Sequence, residues 1–94
     1  METGNEIRRI FYENGRVQSE LSYKDNKLDG QCRTYYESGT LLSEASFKDD
    51  MMHGVRREYY KNGQLKREDI WSYNKPLSSA RYDEQGACVL VKKY

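Results

Sequence analysis

Three glutamates, Glu20, Glu44 and Glu68, stand at identical intervals of 24 residues, and three arginines, Arg9, Arg33 and Arg57, keep the same interval. Evenly spaced carboxylates and guanidiniums could serve as general acids and bases or as holders of an oxyanion. Each of those chemistries needs further groups beside them. The chain has one histidine, His53, in a predicted loop ahead of Gly54, so no second imidazole exists for a metal site. No serine or cysteine has a partner base at a recognisable spacing. There is no glycine-rich nucleotide loop, no catalytic Asp–Asn pair and no acidic metal cluster such as phosphoryl transfer uses. These residues point to a non-enzymatic chain with no cofactor and no metal.

The interval itself is the stronger signal. FYENG (Phe11 to Gly15), YYESG (Tyr35 to Gly39), YYKNG (Tyr59 to Gly63) and a worn YDEQG (Tyr82 to Gly86) carry glycines spaced by 24, 24 and 23. Tyr23, Phe47, Trp71 and Tyr94 place an aromatic eight residues after each of them. Such self-similarity fixes the architecture before any local propensity does. It divides one repeat domain, 1–94, into units 7–30, 31–54 and 55–78 with a degenerate capping unit, 79–94.

Each unit reads as a β-hairpin. Asn14-Gly15 and Asn62-Gly63 are signals for a two-residue type I′ turn, in which both central residues take positive φ. Counting outward from such a turn places Tyr12 opposite Val17, Tyr36 opposite Leu41 and Tyr60 opposite Leu65. The same count sets Arg9 against Glu20, Arg33 against Glu44 and Arg57 against Glu68. Opposite-charge pairs across strands contribute about 0.2–1 kcal/mol each, so they serve register more than stability. Alternation then puts Val17, Leu21 and Tyr23 on one face with Ile10 and Tyr12, and likewise Leu41 with Ala45 and Phe47. The other face carries Gln18, Glu20 and Ser22 together with the first aromatic of each phrase, Phe11, Tyr35, Tyr59 and Tyr82.

Between hairpins run KDNKLDG and KDDMMHG, polar connections ending in a glycine, while SYNKPLSS has lost that glycine and holds the single proline, Pro76, which predicts a local irregularity. The fold class is therefore all-β: a curved single-layer antiparallel meander of tandem hairpins, about eight strands. At ~4.8 Å per strand it extends close to ~40 Å. The closing stretch CVLVKKY reads as an edge strand guarded by two lysines.

Composition excludes several partner classes. Charged residues make up 33% and the net charge is +1, so no global field draws nucleic acid. No apolar run reaches the ~18 residues of a membrane span, and METGNEIRR has no apolar signal segment, which gives a cytoplasmic expectation. Cys32 and Cys88 have neither metal-ligand nor CxxC spacing and read as small half-buried strand residues. One local bias remains. Arg56, Arg57, Lys61, Lys66 and Arg67 face a single nearby acid, Glu58, and four of them (Arg56, Arg57, Lys61 and Lys66) form a candidate anion-binding set.

With these residues in place, the chain resembles the MORN repeat variant of bacterial proteins. The match lies in Gly30, Tyr35, Tyr36, Gly39, Leu41, Glu44, Phe47 and Lys48 of the second unit, and in Gly54, Tyr59, Tyr60, Gly63, Leu65, Glu68 and Trp71 of the third. The first unit matches at Phe11, Tyr12, Gly15, Val17, Glu20, Tyr23 and Lys24; in the fourth, Asp83 and Val91 depart from the pattern. The resemblance implies a curved sheet of stacked hairpins used as an interaction surface, often labelled antitoxin-like. Larger members are associated with membranes and phosphoinositides, and the repeat can be attached to phosphoinositide kinases. The expected function is protein–protein interaction through the row Phe11, Tyr35, Tyr59 and Tyr82, with slots between rings floored by Gln18, Leu42 and Lys66. The alternative is an anionic phospholipid headgroup at Arg56, Arg57, Lys61 and Lys66. Expected partners are an unidentified protein and a second copy through a sheet edge or the apolar face.

Overall fold

A computed structural model describes residues 5–94, so the first four residues of METGNEIRR lie outside the described ones. The described residues form nine strands: β1 (Asn5–Phe11), β2 (Val17–Lys24), β3 (Lys27–Leu28), β4 (Gly30–Tyr35), β5 (Leu41–Lys48), β6 (Met51–Tyr59), β7 (Leu65–Ser72), β8 (Lys75–Tyr82) and β9 (Cys88–Lys93). They make one open, curved antiparallel meander in the order β1-β2-β4-β5-β6-β7-β8-β9, with β3 also paired to β2. β3 and β4 are one strand interrupted at Asp29, so the sheet is eight strands wide. Its extents are 49 × 37 × 14 Å, the thickness of a single layer.

The three Arg–Glu pairs form as counted, Arg9↔Glu20, Arg33↔Glu44 and Arg57↔Glu68. The turn that produces them is different from the expected one. Tyr12 N–H donates to the Arg16 carbonyl and Gly15 N–H to the Tyr12 carbonyl, at 2.8 and 3.0 Å. Asn14 does not take positive φ; Gly15 does, at 87°. This is a three-residue loop, a type I turn closed by a left-handed glycine. It brings Phe11, not Tyr12, opposite Val17. One extra residue, Gln18, then bulges out and restores the register, so that Ile10 meets Ser19. Leu42, Lys66 and Val89 do the same in the other hairpins. Two irregularities that cancel explain why the distant pairs were right and the near ones wrong. The bulge also turns Val17 and Leu41 onto the face of Phe11 and Tyr35, away from Leu21 and Ala45.

The type I′ turns lie at the opposite end of the strands, in the connections. Asp25-Asn26, Asp49-Asp50 and Tyr73-Asn74 hold φ between 43° and 67°, a conformation that asparagine and aspartate tolerate. Tyr73 tolerates it with help from His53, whose Nδ1 accepts its N–H at 3.2 Å and whose ring stacks on it at 4.1 Å. Gly30 and Gly54 do not bend these connections. They sit within bulges on β4 and β6 at φ 101° and 109°. The third connection has a smaller bulge, the single residue Leu77 beyond Pro76, which is the irregularity expected there and the reason the last glycine spacing is 23.

A single layer buries little. Cys32 is the one buried hydrophobic residue among the described residues, while Cys88 on β9 is exposed. Large apolar side chains are most exposed on the two outer strands: Ile7, Ile10 and Phe11 on β1, and Val89, Leu90 and Val91 on β9. Cohesion comes instead from bonds that step from one hairpin to the next. Tyr12, Tyr36 and Tyr60 donate their hydroxyls to the backbone carbonyls of Tyr35, Tyr59 and Tyr82, at 2.6, 2.7 and 2.9 Å. At the other end, the Asp50 and Asn74 side chains accept the N–H groups of Leu28 and Met52. Tyr36→Phe is expected to cost about 1 kcal/mol, the worth of one hydrogen bond, in urea unfolding.

Candidate functional surface

Face membership follows from the register. One face carries the cross-strand pairs Phe11–Val17, Tyr35–Leu41, Tyr59–Leu65 and Tyr82–Cys88, one pair per hairpin beside its glycine loop. Antiparallel partners share a face, so these pairs make an aromatic–aliphatic stripe across eight strands. Phe11 is 56% exposed and the three tyrosines are half-buried.

Beside the stripe runs an ionic ladder, Arg9–Glu20–Arg33–Glu44–Arg57–Glu68, each residue the direct partner of the next. Arg9 Nε lies 2.8 Å from Glu20 and Arg57 Nε 2.7 Å from Glu68, while Arg33 and Arg57 both approach Glu44 at 3.5 Å. The stripe rests on this ladder. Tyr35 donates its hydroxyl to Glu20 at 2.9 Å and Tyr59 to Glu44 at 3.1 Å. The rings are thus tied down between charged neighbours. A slot of about 350 Å³ opens between hairpins, lined by Gly15, Arg16, Val17, Glu20, Tyr35 and Gly39. Gln18, Leu42 and Lys66 are bulge residues and do not floor it; Lys66 sits with Tyr60, 5.6 Å from its ring.

Titration follows from these contacts. Hydrogen bonds from Arg9 and then Tyr35 hold the Glu20 carboxyl below the usual range. Burial first, then the bond to Glu20, pushes the Tyr35 phenol up, and burial with Glu44 does the same to Tyr59. A depressed carboxyl stabilises the fold above its unfolded pKa, about 4, and that stability is lost as pH falls through the folded value. A raised phenol stabilises below its unfolded pKa, about 10, and is lost as pH rises through the folded value. The urea midpoint should therefore decline below about pH 4 and above about pH 10. Tyr35→Phe with Tyr59→Phe should remove the tyrosine contribution to the alkaline decline.

The expected anion set does not come together. Arg57 points to the stripe face, between Glu44 and Glu68, and Arg56 to the opposite face, where it meets Glu58 at 2.9 Å and Asp69 at 3.5 Å. Lys61 lies in a loop, 5.9 Å from the Tyr36 ring. Glu58 is the one acid between Arg56 and Arg67, but Glu68 and Asp69 follow directly in the sequence and pairing adds Glu44, so Arg56 and Arg57 are balanced.

Asp69 is the site residue that sequence reasoning missed. It is 1% exposed, the most buried side chain described, with Arg67 Nε at 2.9 Å, Arg56 Nη1 at 3.5 Å and Ser79 directly across the ladder. Burial raises its pKa, but Ser79, Arg67 and Arg56 outweigh burial and hold it below the usual range. A signal existed. At intervals of 24 the sequence reads Leu21, Ala45, Asp69 and Cys32, Arg56, so an apolar pair is exchanged for an opposite-charge pair in one unit. His53 is occupied by Tyr73, and no cluster of metal-binding side chains occurs among the described residues. Among the described residues no helix is long and apolar enough to cross a membrane.

Among curated proteins none matches the chain. The family model described as MORN repeat variant matches residues 7–25, 28–49 and 52–72. Those three segments cover more than half of the chain and coincide with its first three hairpins: the protein belongs to the MORN repeat variant family.

Proposed function

We propose that the chain is a non-enzymatic repeat module that binds a protein partner on the stripe face. The observation that supports this is the eight-strand aromatic–aliphatic stripe, open to solvent on a single-layer sheet and pre-set by the tyrosine–glutamate bonds. Tyrosine anchors of this kind dominate protein interfaces, and rings already held in place lose little freedom on binding. The family is generally a non-catalytic repeat module. Its antitoxin-like label makes a toxin the partner class to test first, in a cytoplasm that keeps Cys32 and Cys88 reduced. Headgroup binding through Arg56, Arg57, Lys61 and Lys66 lacks comparable support, because carboxylates engage two of the four on opposite faces.

The test is affinity capture with the wild type and with Phe11→Ser/Tyr82→Ser, whose side chains make no ladder bond, after circular dichroism shows both folded. The reading expects a protein retained by the wild type and lost from the variant. Identical capture by both would remove the stripe as the binding surface.

A further inference from the structure

On the face opposite the stripe, the last two hairpins enclose a notch of about 320 Å³, lined by Glu58, Tyr60, Lys66, Arg67, Arg81, Tyr82 and Val89. Three cations converge there. Arg67 and Arg81 are direct cross-strand partners, a like-charge pairing that destabilises a sheet unless an anion lies between. The local carboxylates are already engaged: Glu58 accepts from Arg56 at 2.9 Å, and Asp69 takes Arg67 and Arg56. No carboxylate among the described residues pairs with Arg81 or Lys66, and Arg81 is exposed. Hence two positive charges, Arg81 and Lys66, remain without a carboxylate at a recess of ligand size, Lys66 lying 5.6 Å from the Tyr60 ring.

We propose that this notch binds a phosphate group. A guanidinium fork takes two oxygens of a tetrahedral anion side by side, and an ammonium on the bulge beside it takes a third. A phosphomonoester carries close to two negative charges at neutral pH, matching Arg81 and Lys66, whereas a carboxylate carries one. The Tyr60 ring and Val89 supply an apolar wall for the carbon skeleton attached to the phosphate. The assignment rests on Arg81, Lys66 and Tyr60, none of which belongs to the stripe, and stands whether or not a protein binds there.

Phenyl phosphate is the probe, titrated by ¹⁵N NMR at constant ionic strength. Saturable shifts are expected at Arg81 Nε and at the amides of Lys66, Arg67 and Val89. Arg81→Gln is expected to weaken binding about 10-fold or more, the worth of a charge-assisted hydrogen bond, and Lys61→Gln in the distant loop to leave it unchanged. Arg81 makes no described side-chain bond, so its variant should melt with the wild type. Absence of saturation, undiminished binding by Arg81→Gln, or equal affinity for acetate would each overturn the assignment. Phosphatidate vesicles separate the two sources of the group. Arg81-dependent sedimentation with them supports the notch with a lipid as bearer, and phenyl phosphate binding without sedimentation supports it with a soluble one.

Discussion

Replacing Asp69 by alanine is expected to lower the unfolding free energy by about 2–3 kcal/mol, a large share of what holds a domain of this size. The side chain is the most buried described, and its removal takes away the carboxylate that holds Arg67 and leaves Arg56 with Glu58 alone. Those arginines are 27% and 30% exposed, so water recovers part of the loss, which keeps the figure below that of a fully buried pair. The repeat itself supplies the compensating change. Its second unit holds Cys32 and Ala45 where the third holds Arg56 and Asp69. The double replacement Arg56→Cys/Asp69→Ala should therefore recover at least half of the loss in urea unfolding, because an apolar pair can replace a buried ion pair at little cost. A single Asp69→Ala that costs under about 1 kcal/mol would mean that the cluster does not hold the sheet.

The second large effect is expected at Gly54. Its φ of 109° lies where L side chains rarely go, and a Cβ there would stand 3.2 Å from the Ser46 Cβ. Backbone strain of about 1–3 kcal/mol adds to that collision, so Gly54→Ala should cost about 2–3 kcal/mol. Gly63→Ala meets nothing within 4 Å at φ 89° and should cost only the left-handed penalty, about 1 kcal/mol. Adding Ser46→Gly to Gly54→Ala should relieve the contact but not the strain. Equal costs at Gly54 and Gly63 would show that the bulge on β6 relaxes freely.

These two sites also show what was legible in the chain. Identical spacing of Arg9, Arg33 and Arg57 against Glu20, Glu44 and Glu68 made the hairpins and the ladder readable, because a register shared by three copies tests itself. Which end of each strand holds the tight turn was not readable. Asn14-Gly15 fits both a two-residue turn and a glycine-closed three-residue loop, and Gln18 absorbs the difference by bulging. Aspartates and asparagines in the connections take the left-handed conformation without glycine, which hid the true type I′ turns. The aromatic row shares its face with Glu20 and Ser22 as counted, but Val17 and Leu41, expected on the other face, join it. Its attachment was not readable, because a tyrosine hydroxyl reaching a carboxylate or a carbonyl about 15 or 23 residues away leaves no local mark. Asp69 was hidden for a related reason: its partners Arg56 and Ser79 come from neighbouring strands, and a run such as KREDIW looks like solvated surface.

The claim that matters most is that the stripe face, and not its reverse, meets a protein partner. Phe11 and Ile10 are consecutive, both about half exposed, and point to opposite faces of β1. A benzophenone amino acid placed at one position or the other, followed by irradiation in the cell, reads the occupied face directly. A crosslinked protein from position 11 and none from position 10 is the predicted result. Adducts from position 10 alone, or from neither position, would contradict it.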